Sequence, residues 1–353
     1  MQPAERAQAL DVGAMLTSYL EYIDRSQRTE QNALANLRQF VAWLRYAGIE
    51  KPQRGDVIRF RDWLSSDHEQ IKLTPEGWTP TGARLACQPS TVRQYLQSVK
   101  QFFAWTDTAG LYPDISRNIH APKVPAVHRK DALEPEEVQA IEKHILADYE
   151  ARARKAREEG RLIIADRTEE QGKRLYAIFL LAVNAGLRTV ELSRANVRDL
   201  ESKGGKSWLY VWGKGRSGAD QRRPIAPEVK AAIDSYLAAR SDRAADSAPL
   251  FVSTGNRSGG QRIAPTTIST MIKKAMQSAG YDSARLSAHS LRHTTGQQVM
   301  KLTGGNIYTT QQYMRHADPR TTEIYLDNEK AAQEDTLAAD LYRATHTRKK
   351  KRF

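Results

Sequence analysis

The chain holds one cysteine, Cys87, in 353 residues, so no disulfide can close within it and a reducing compartment is expected. Cys87 lies in a stretch broken by Pro and Gly with no histidine partner nearby, which makes it an incidental thiol rather than a nucleophile. Long apolar runs are also missing. The longest, Tyr176 to Val183, is far shorter than a membrane span. Met1 to Arg6 lack the apolar centre of a signal peptide. No clustering of Cys, His and Asp at metal-ligand spacing is present. These absences argue against a disulfide-stapled secreted domain, a membrane protein and a metalloenzyme. They predict a soluble, cytoplasmic protein with no cofactor and no membrane partner.

Acidic residues are the remaining shortage. Asp and Glu number 41 against 54 Lys and Arg, a net charge of +13. An excess of that size attracts polyanions, of which nucleic acid is the commonest, although a basic solubilising surface has the same composition. Hydrophobic residues make up 40% of the chain, enough at this length for one large or two ordinary domains.

What is present reads mainly as helix. Val12, Met15, Leu16, Tyr19, Leu20 and Ile23 recur at three-to-four spacing, as do Leu34, Leu37, Phe40, Val41 and Leu44, with Gly48 as a stop. A third segment runs from Val57 to Leu64. Thr74 to Pro89, with three prolines and two glycines, reads as an irregular stretch. Ser90 is placed to cap a long helix carrying Val92, Tyr95, Leu96, Val99, Phe102 and Phe103, ended by Gly110. Residues 1–118 are therefore expected to form an all-α domain, followed by a basic, proline-containing linker at 119–132. Residues 133–345 are expected to be a second domain and 346–353 a basic tail. Within the second domain, Leu133 to Glu137 open a helix, 148–173 reads as a charged, exposed helical or loop insertion, and Lys173 to Ala185 reads as an apolar helix ended by Gly186. Ser207 to Trp212 and Gln221 to Ile225, around a Gly/Lys/Arg turn, give the one clear β signal. The expected fold is mainly α with a small β-sheet or hairpin.

Five short strings carry chemically useful side chains in a fixed order. Ala185-Gly186-Leu187-Arg188 puts an arginine after a helix-ending glycine, with Glu191 three residues on. Gly213-Lys214-Gly215 puts a lysine on a hairpin tip. His289-Ser290-Leu291-Arg292-His293 sets His289 and Arg292 on one helical face. Met314-Arg315-His316 adds a histidine, and Thr321-Thr322-Glu323-Ile324-Tyr325 ends in a tyrosine nine residues later. Taken singly, each has a plain structural reading: a C-capping arginine, a solvated lysine, a polar pair on a helix, a core histidine, a packed tyrosine. Their order and spacing carry the signal.

That order resembles the tyrosine recombinase, or phage integrase, family, and the likeness covers nearly the whole chain. The family's pattern of Arg, Lys, His-x-x-Arg, His or Trp, and Tyr is matched by Arg188, Lys214, His289, Arg292, His316 and Tyr325. Glu191 matches an acidic residue often found three after the first arginine. One departure is Arg315, where the family usually has glycine before the second histidine.

The resemblance implies an N-terminal core-DNA-binding domain and an α+β catalytic domain that close as a clamp on double-stranded DNA with inverted half-sites. It implies strand cleavage by Tyr325, a 3′-phosphotyrosyl link, a homotetramer and a Holliday junction, with an accessory directionality or activating protein as a further partner. Arg188 and Arg292 would grip the phosphate, Lys214 would protonate the leaving 5′ oxygen, His289 would assist proton transfer, and His316 would bond the phosphate. Glu191 would orient Arg188 and His289. Nearby guanidinium charge is expected to favour the phenolate of a tyrosine that ordinarily titrates near 10. Arg93, Gln94, Gln97 and Lys100 on the Ser90 helix are candidate base readers, and Lys123, Arg129 and Lys130 candidate phosphate contacts. A short helix at 330–343 would dock on a neighbouring subunit or on its own domain. Integration and excision of a mobile element is the expected role and the cytoplasm, at the nucleoid, the expected location. Chromosome-dimer resolution, a non-cutting DNA-binding regulator and a type IB topoisomerase are the alternatives.

Overall fold

The computed structural model describes residues 12–23, 27–74, 77–123, 132–212, 218–242, 244–255, 259–316, 318–319, 321–323 and 325. It is mostly helical with two small antiparallel sheets and divides into two compact units, Met1–Val127 and His128–Phe353. Among the described residues, no helix is long and apolar enough to cross a membrane.

The first unit contains α1 (Val12–Tyr22), α2 (Gln27–Tyr46), α3 (Arg54–Ser65) and α4 (Pro89–Thr108). In α4 the spacing of Val92, Leu96, Val99 and Phe103 places all four on one face, and all four are buried. They meet Phe40 and Phe60, whose rings pack edge to face 5.0 Å apart. Burial of such aromatics supplies much of a small domain's stability. Ser90 does not cap this helix: Gln88 is the N-cap and Pro89 opens the first turn, where a missing N–H costs no hydrogen bond. Ile119, read as linker, is buried in this unit's core.

The stretch read as irregular forms a hairpin, β1 (His68–Thr74) with β2 (Gly77–Leu85). Prolines hid it. Pro80 sits in a two-stranded ribbon, where each strand has a free edge and a proline removes no essential ladder bond. The hairpin is rooted on α3, with the His68 and Trp63 rings 3.8 Å apart.

The second unit opens with α5 (Pro135–Glu158) and α6 (Leu162–Asn184), joined by a turn at Gly160 with φ +72°. The charged segment at 148–173 is helical, one of the two forms expected of it, but it is not exposed throughout. It forms the adjoining ends of two long helices, and Ala153, Ala156 and Ala165 within it are buried. The helices approach closely at Gly172, where a Cβ would come within 2.5 Å of the Tyr149 side chain. From Leu175 onward α6 is buried on most sides and forms the centre of the core.

The chain continues through α7 (Thr189–Arg194) into an antiparallel sheet of order β3-β4-β5, with β3 at Leu200–Lys203, β4 at Lys206–Trp212 and β5 at Ala219–Ile225. Then follow α8 (Pro227–Ala239), α9 (Pro265–Ser278), α10 (Ala288–Leu302) and α11 (Ile307–Met314).

Candidate active site

Arg188 stands where α6 gives way to α7. The helix ends at Ala185, and Gly186 at φ +60° reverses the chain, a conformation favoured by a residue without Cβ. Arg188 is then the N-cap of α7. Its backbone N–H donates to Glu191 Oε2 at 2.9 Å and its Nη1 donates to Glu191 Oε1 at 3.0 Å. The carboxylate thus closes the helix end and holds the guanidinium from below, while the Arg188 side chain stays 37% exposed.

α10 brings His289, Arg292, His293 and Gly296 to the same place. Ser287 and Ser290 close a capping box at its start. Arg292 is buried, and its Nη1 and Nη2 donate to the carbonyls of Gly186 and Met314. Arg223, on β5, makes a parallel pair of bonds, with Nη2 to Ala185 O at 2.8 Å and Nη1 to Tyr313 O. The two arginines thus tie the end of α6 to the end of α11.

α11 closes at Arg315, which occupies the left-handed region at φ 53°, ψ 48°. Glycine fits that conformation more easily, yet the arginine leaves the turn intact and turns its side chain inward. Its Nη2 donates to Glu191 Oε2 at 2.8 Å and its Nη1 to Gln221 Oε1 at 3.0 Å. Glu191 is therefore bridged to Arg188 and Arg315 together. The next residue, His316, is 9% exposed, with Nδ1 2.9 Å from Thr322 Oγ1.

Tyr325 lies against α10. Its ring stacks beside His316 at a centroid separation of 6.1 Å, and its hydroxyl is 3.3 Å from His293 Nδ1. The ring fits because position 296 is glycine: a Cβ there would stand 2.3 Å from Tyr325 Cζ. The residue is 3% exposed.

Electrostatics divides these groups sharply. Burial raises Glu191, but Arg315, the Arg188 N–H and the Arg188 charge outweigh it, and the carboxyl lies below its ordinary range. Burial, then the charge of Arg188, lowers Arg292 to about 10. His316 falls to about 4, first through burial and then through Arg292, Arg188, His293 and His289. It is a neutral imidazole at pH 7. Tyr325 is pushed upward by burial, and Arg292 and Arg188 only partly oppose this. The two guanidinium charges thus favour the phenolate, as expected, but do not decide the balance. Burial is the larger effect, and the phenol keeps its proton.

Arg188, His289, Arg292, His316 and Tyr325 are brought together from distant parts of the chain. Lys214, Arg129, Lys130 and the segments 330–343 and 346–353 lie outside the described residues. Arg93, Gln94 and Gln97 project from the exposed face of α4, with Lys100 half-buried and Lys123 exposed. Sequence reasoning missed Arg223, His293, Gly296 and the inward role of Arg315. His293 was signalled by its place beside Arg292, whereas nothing local marks Arg223.

The model of the phage integrase family matches residues 155–332. The chain is similar to the tyrosine recombinase Synpcc7942_B2651 of Synechococcus elongatus, 24% identical over 305 residues that cover 86% of this chain and 85% of that protein. It is also similar to the tyrosine recombinase XerC of Salmonella typhi, 24% identical over 352 residues, covering 98% and 99%. Among solved structures, a lambda integrase tetramer bound to a Holliday junction shares the fold, with a TM-score of 0.59 at 14% identity over 90% of this chain and 80% of that one.

Proposed function

The chain belongs to the phage integrase family and is a tyrosine recombinase, and from that premise we propose that Tyr325 Oη attacks a DNA backbone phosphate. Attack forms a 3′-phosphotyrosyl link and expels the 5′ oxygen, which takes a proton from Lys214. The reverse step, with a 5′ hydroxyl from another strand, rejoins the DNA. The phosphodiester energy is kept in the tyrosyl ester, so neither step draws on a nucleotide.

The observation that carries this reading is the convergence of Arg188, Arg292, His289 and His316 on the surroundings of the Tyr325 hydroxyl from separate elements. Arg188 has the exposure to meet a phosphate, and Glu191 fixes its direction. Arg292 spends only part of its donor set on carbonyls, since a guanidinium offers five N–H groups. Two such cations hold the charge that builds on the non-bridging oxygens, where loss of one donor typically costs on the order of 100- to 1,000-fold. His316 is neutral and donates a hydrogen bond from Nε2 when Thr322 donates to Nδ1. The phosphate enters from the side on which Arg188 and His289 are exposed.

On DNA, Lys123, Arg129 and Lys130 contact phosphates while Arg93, Gln94, Gln97 and Lys100 meet base edges. Four copies on paired sites with inverted half-sites exchange strands through a Holliday junction, the assembly in which the lambda integrase neighbour was solved. Integration and excision of a mobile element is the favoured role. Chromosome-dimer resolution is the second, favoured by similarity to a XerC protein along almost its full length. The test uses duplexes recovered from a random pool by binding to the purified protein, each given a nick that traps the cleaved state. Wild type is expected to form a covalent adduct, and Tyr325→Phe to bind the same duplexes without forming one. An adduct that survives Tyr325→Phe contradicts the assignment.

A further inference from the structure

Cleavage leaves one proton to be explained. Tyr325 keeps its phenol proton in its buried seat, so an acceptor has to take it as the oxygen attacks. Two histidines, His316 and His293, lie against the ring, a third, His289, packs on His293, and their geometry differs. His316 lies alongside the Tyr325 ring, its plane 25° from the ring's, and its Nδ1 is engaged by Thr322. His289 packs edge-on against His293 at 4.8 Å and reaches solvent. His293 turns Nδ1 toward the hydroxyl itself, at 3.3 Å, with its ring at 69° to the phenol. A separation slightly longer than an ideal hydrogen bond is usual for a catalytic contact before substrate is bound.

The seat fixes that contact. His293 and Gly296 are three apart on α10 and so share a face. Gly296 admits the ring, which leaves the hydroxyl beside His293. The next residue back, Arg292, supplies the cation that receives the phosphate. Along one helix, α10 thus presents a phosphate donor, a proton acceptor and a slot for the nucleophile.

We propose that His293 is a catalytic residue, the base that accepts the Tyr325 proton at Nδ1 during cleavage and returns it during rejoining. This rests on the reading of Tyr325 as nucleophile. In the forward step the Oη–H bond breaks and its proton passes to the Nδ1 lone pair, the Oη–P bond forms, and the P–O5′ bond breaks with O5′ protonated by Lys214. In reverse, a 5′ hydroxyl attacks, its proton goes to Lys214, and the departing phenolate recovers its proton from His293. The titratable and charged groups facing His293 include His289 and Tyr325 in ring contact, the adjoining Arg292, and His316, on which its charge acts, so its midpoint is compared between variants.

Two measurements on the full chain test this. In protein labelled at histidine Cε1, the His293 resonance, assigned through His293→Asn, is followed through a pH titration with and without Tyr325→Phe. A shifted midpoint is expected, and an unchanged one would show that the contact is absent in solution. Single-turnover adduct formation is then followed on the nicked pool-selected duplexes and on the same duplexes with a bridging 5′ sulfur, a leaving group that needs no acid. His293→Asn is expected to form adduct about 100-fold more slowly, to bind DNA unchanged and to lose the rise in rate with pH. Its defect persists on the sulfur duplex, whereas Lys214→Ala regains rate there. A His293→Asn rate within about threefold of wild type, or a defect erased by sulfur, overturns the role of His293 and leaves Tyr325 untouched. A wild type that forms no Tyr325-dependent adduct on either duplex overturns the underlying reading as well.

Discussion

Glu191 shows how single side chains set up this site. A carboxylate at 3% exposure is costly unless paired, and here two guanidinium groups and a backbone N–H share it. Glu191→Gln leaves Arg315 buried without its counter-charge. Its unfolding midpoint in urea is expected to fall by the equivalent of about 3 kcal/mol, with adduct formation reduced more than tenfold. His316 makes a pH prediction of definite sign. Its folded value of about 4 lies below the ordinary 6.5, so the unfolded chain binds the proton first as pH falls. The contribution is complete above about 6.5 and is lost on acidification toward 4, with a ceiling on the order of 3 kcal/mol. His316→Gln should therefore lose stability less steeply than wild type across that window. Parallel curves would show that the imidazole is not held neutral. Arg188, Arg292 and Tyr325 were legible because each sits in a short string of its own. Arg223 was not, because its partners Ala185 and Tyr313 lie 38 and 90 residues away. Arg315 was legible as a departure from pattern, but its bond to Glu191 spans 124 residues and no local signal carries it.

At the scale of elements, α10 is the organising piece. Gly296 looks like a weak point in a helix, since glycine there costs about 1 kcal/mol relative to alanine. Its lost Cβ is what admits the Tyr325 ring. Gly296→Ala is expected to abolish adduct formation while the melting temperature holds or rises, checked by pairing the nicked-duplex assay with thermal unfolding. Full activity in the alanine variant would show that the seat is not used. Helical periodicity announced α1, α2 and α4 because amphipathic stripes are local. The β1–β2 hairpin escaped because prolines usually exclude strands, and a two-stranded ribbon is where that rule relaxes. The beginning of α5 and the apolar end of α6 were legible, but the packing of the segment between them was not: its charged outer face dominates the sequence, and its buried contacts there include small alanines and Gly172, which carry little hydrophobic signal.

For the molecule as a whole, the +13 charge bears on affinity rather than recognition. Binding to pool-selected duplexes is expected to weaken linearly in log–log form as salt rises, and Lys123→Ala should flatten that slope by about one counterion without changing which duplex is preferred. A changed preference would make Lys123 a base reader. The proposed chemistry turns on one atom, the Tyr325 oxygen, which is identified by digesting the trapped protein–DNA adduct and sequencing the peptide that retains a nucleotide. The expected product is a phosphate-linked nucleotide on Tyr325, attached through its 3′ end. A nucleotide on any other residue, or linked through its 5′ end, would contradict it.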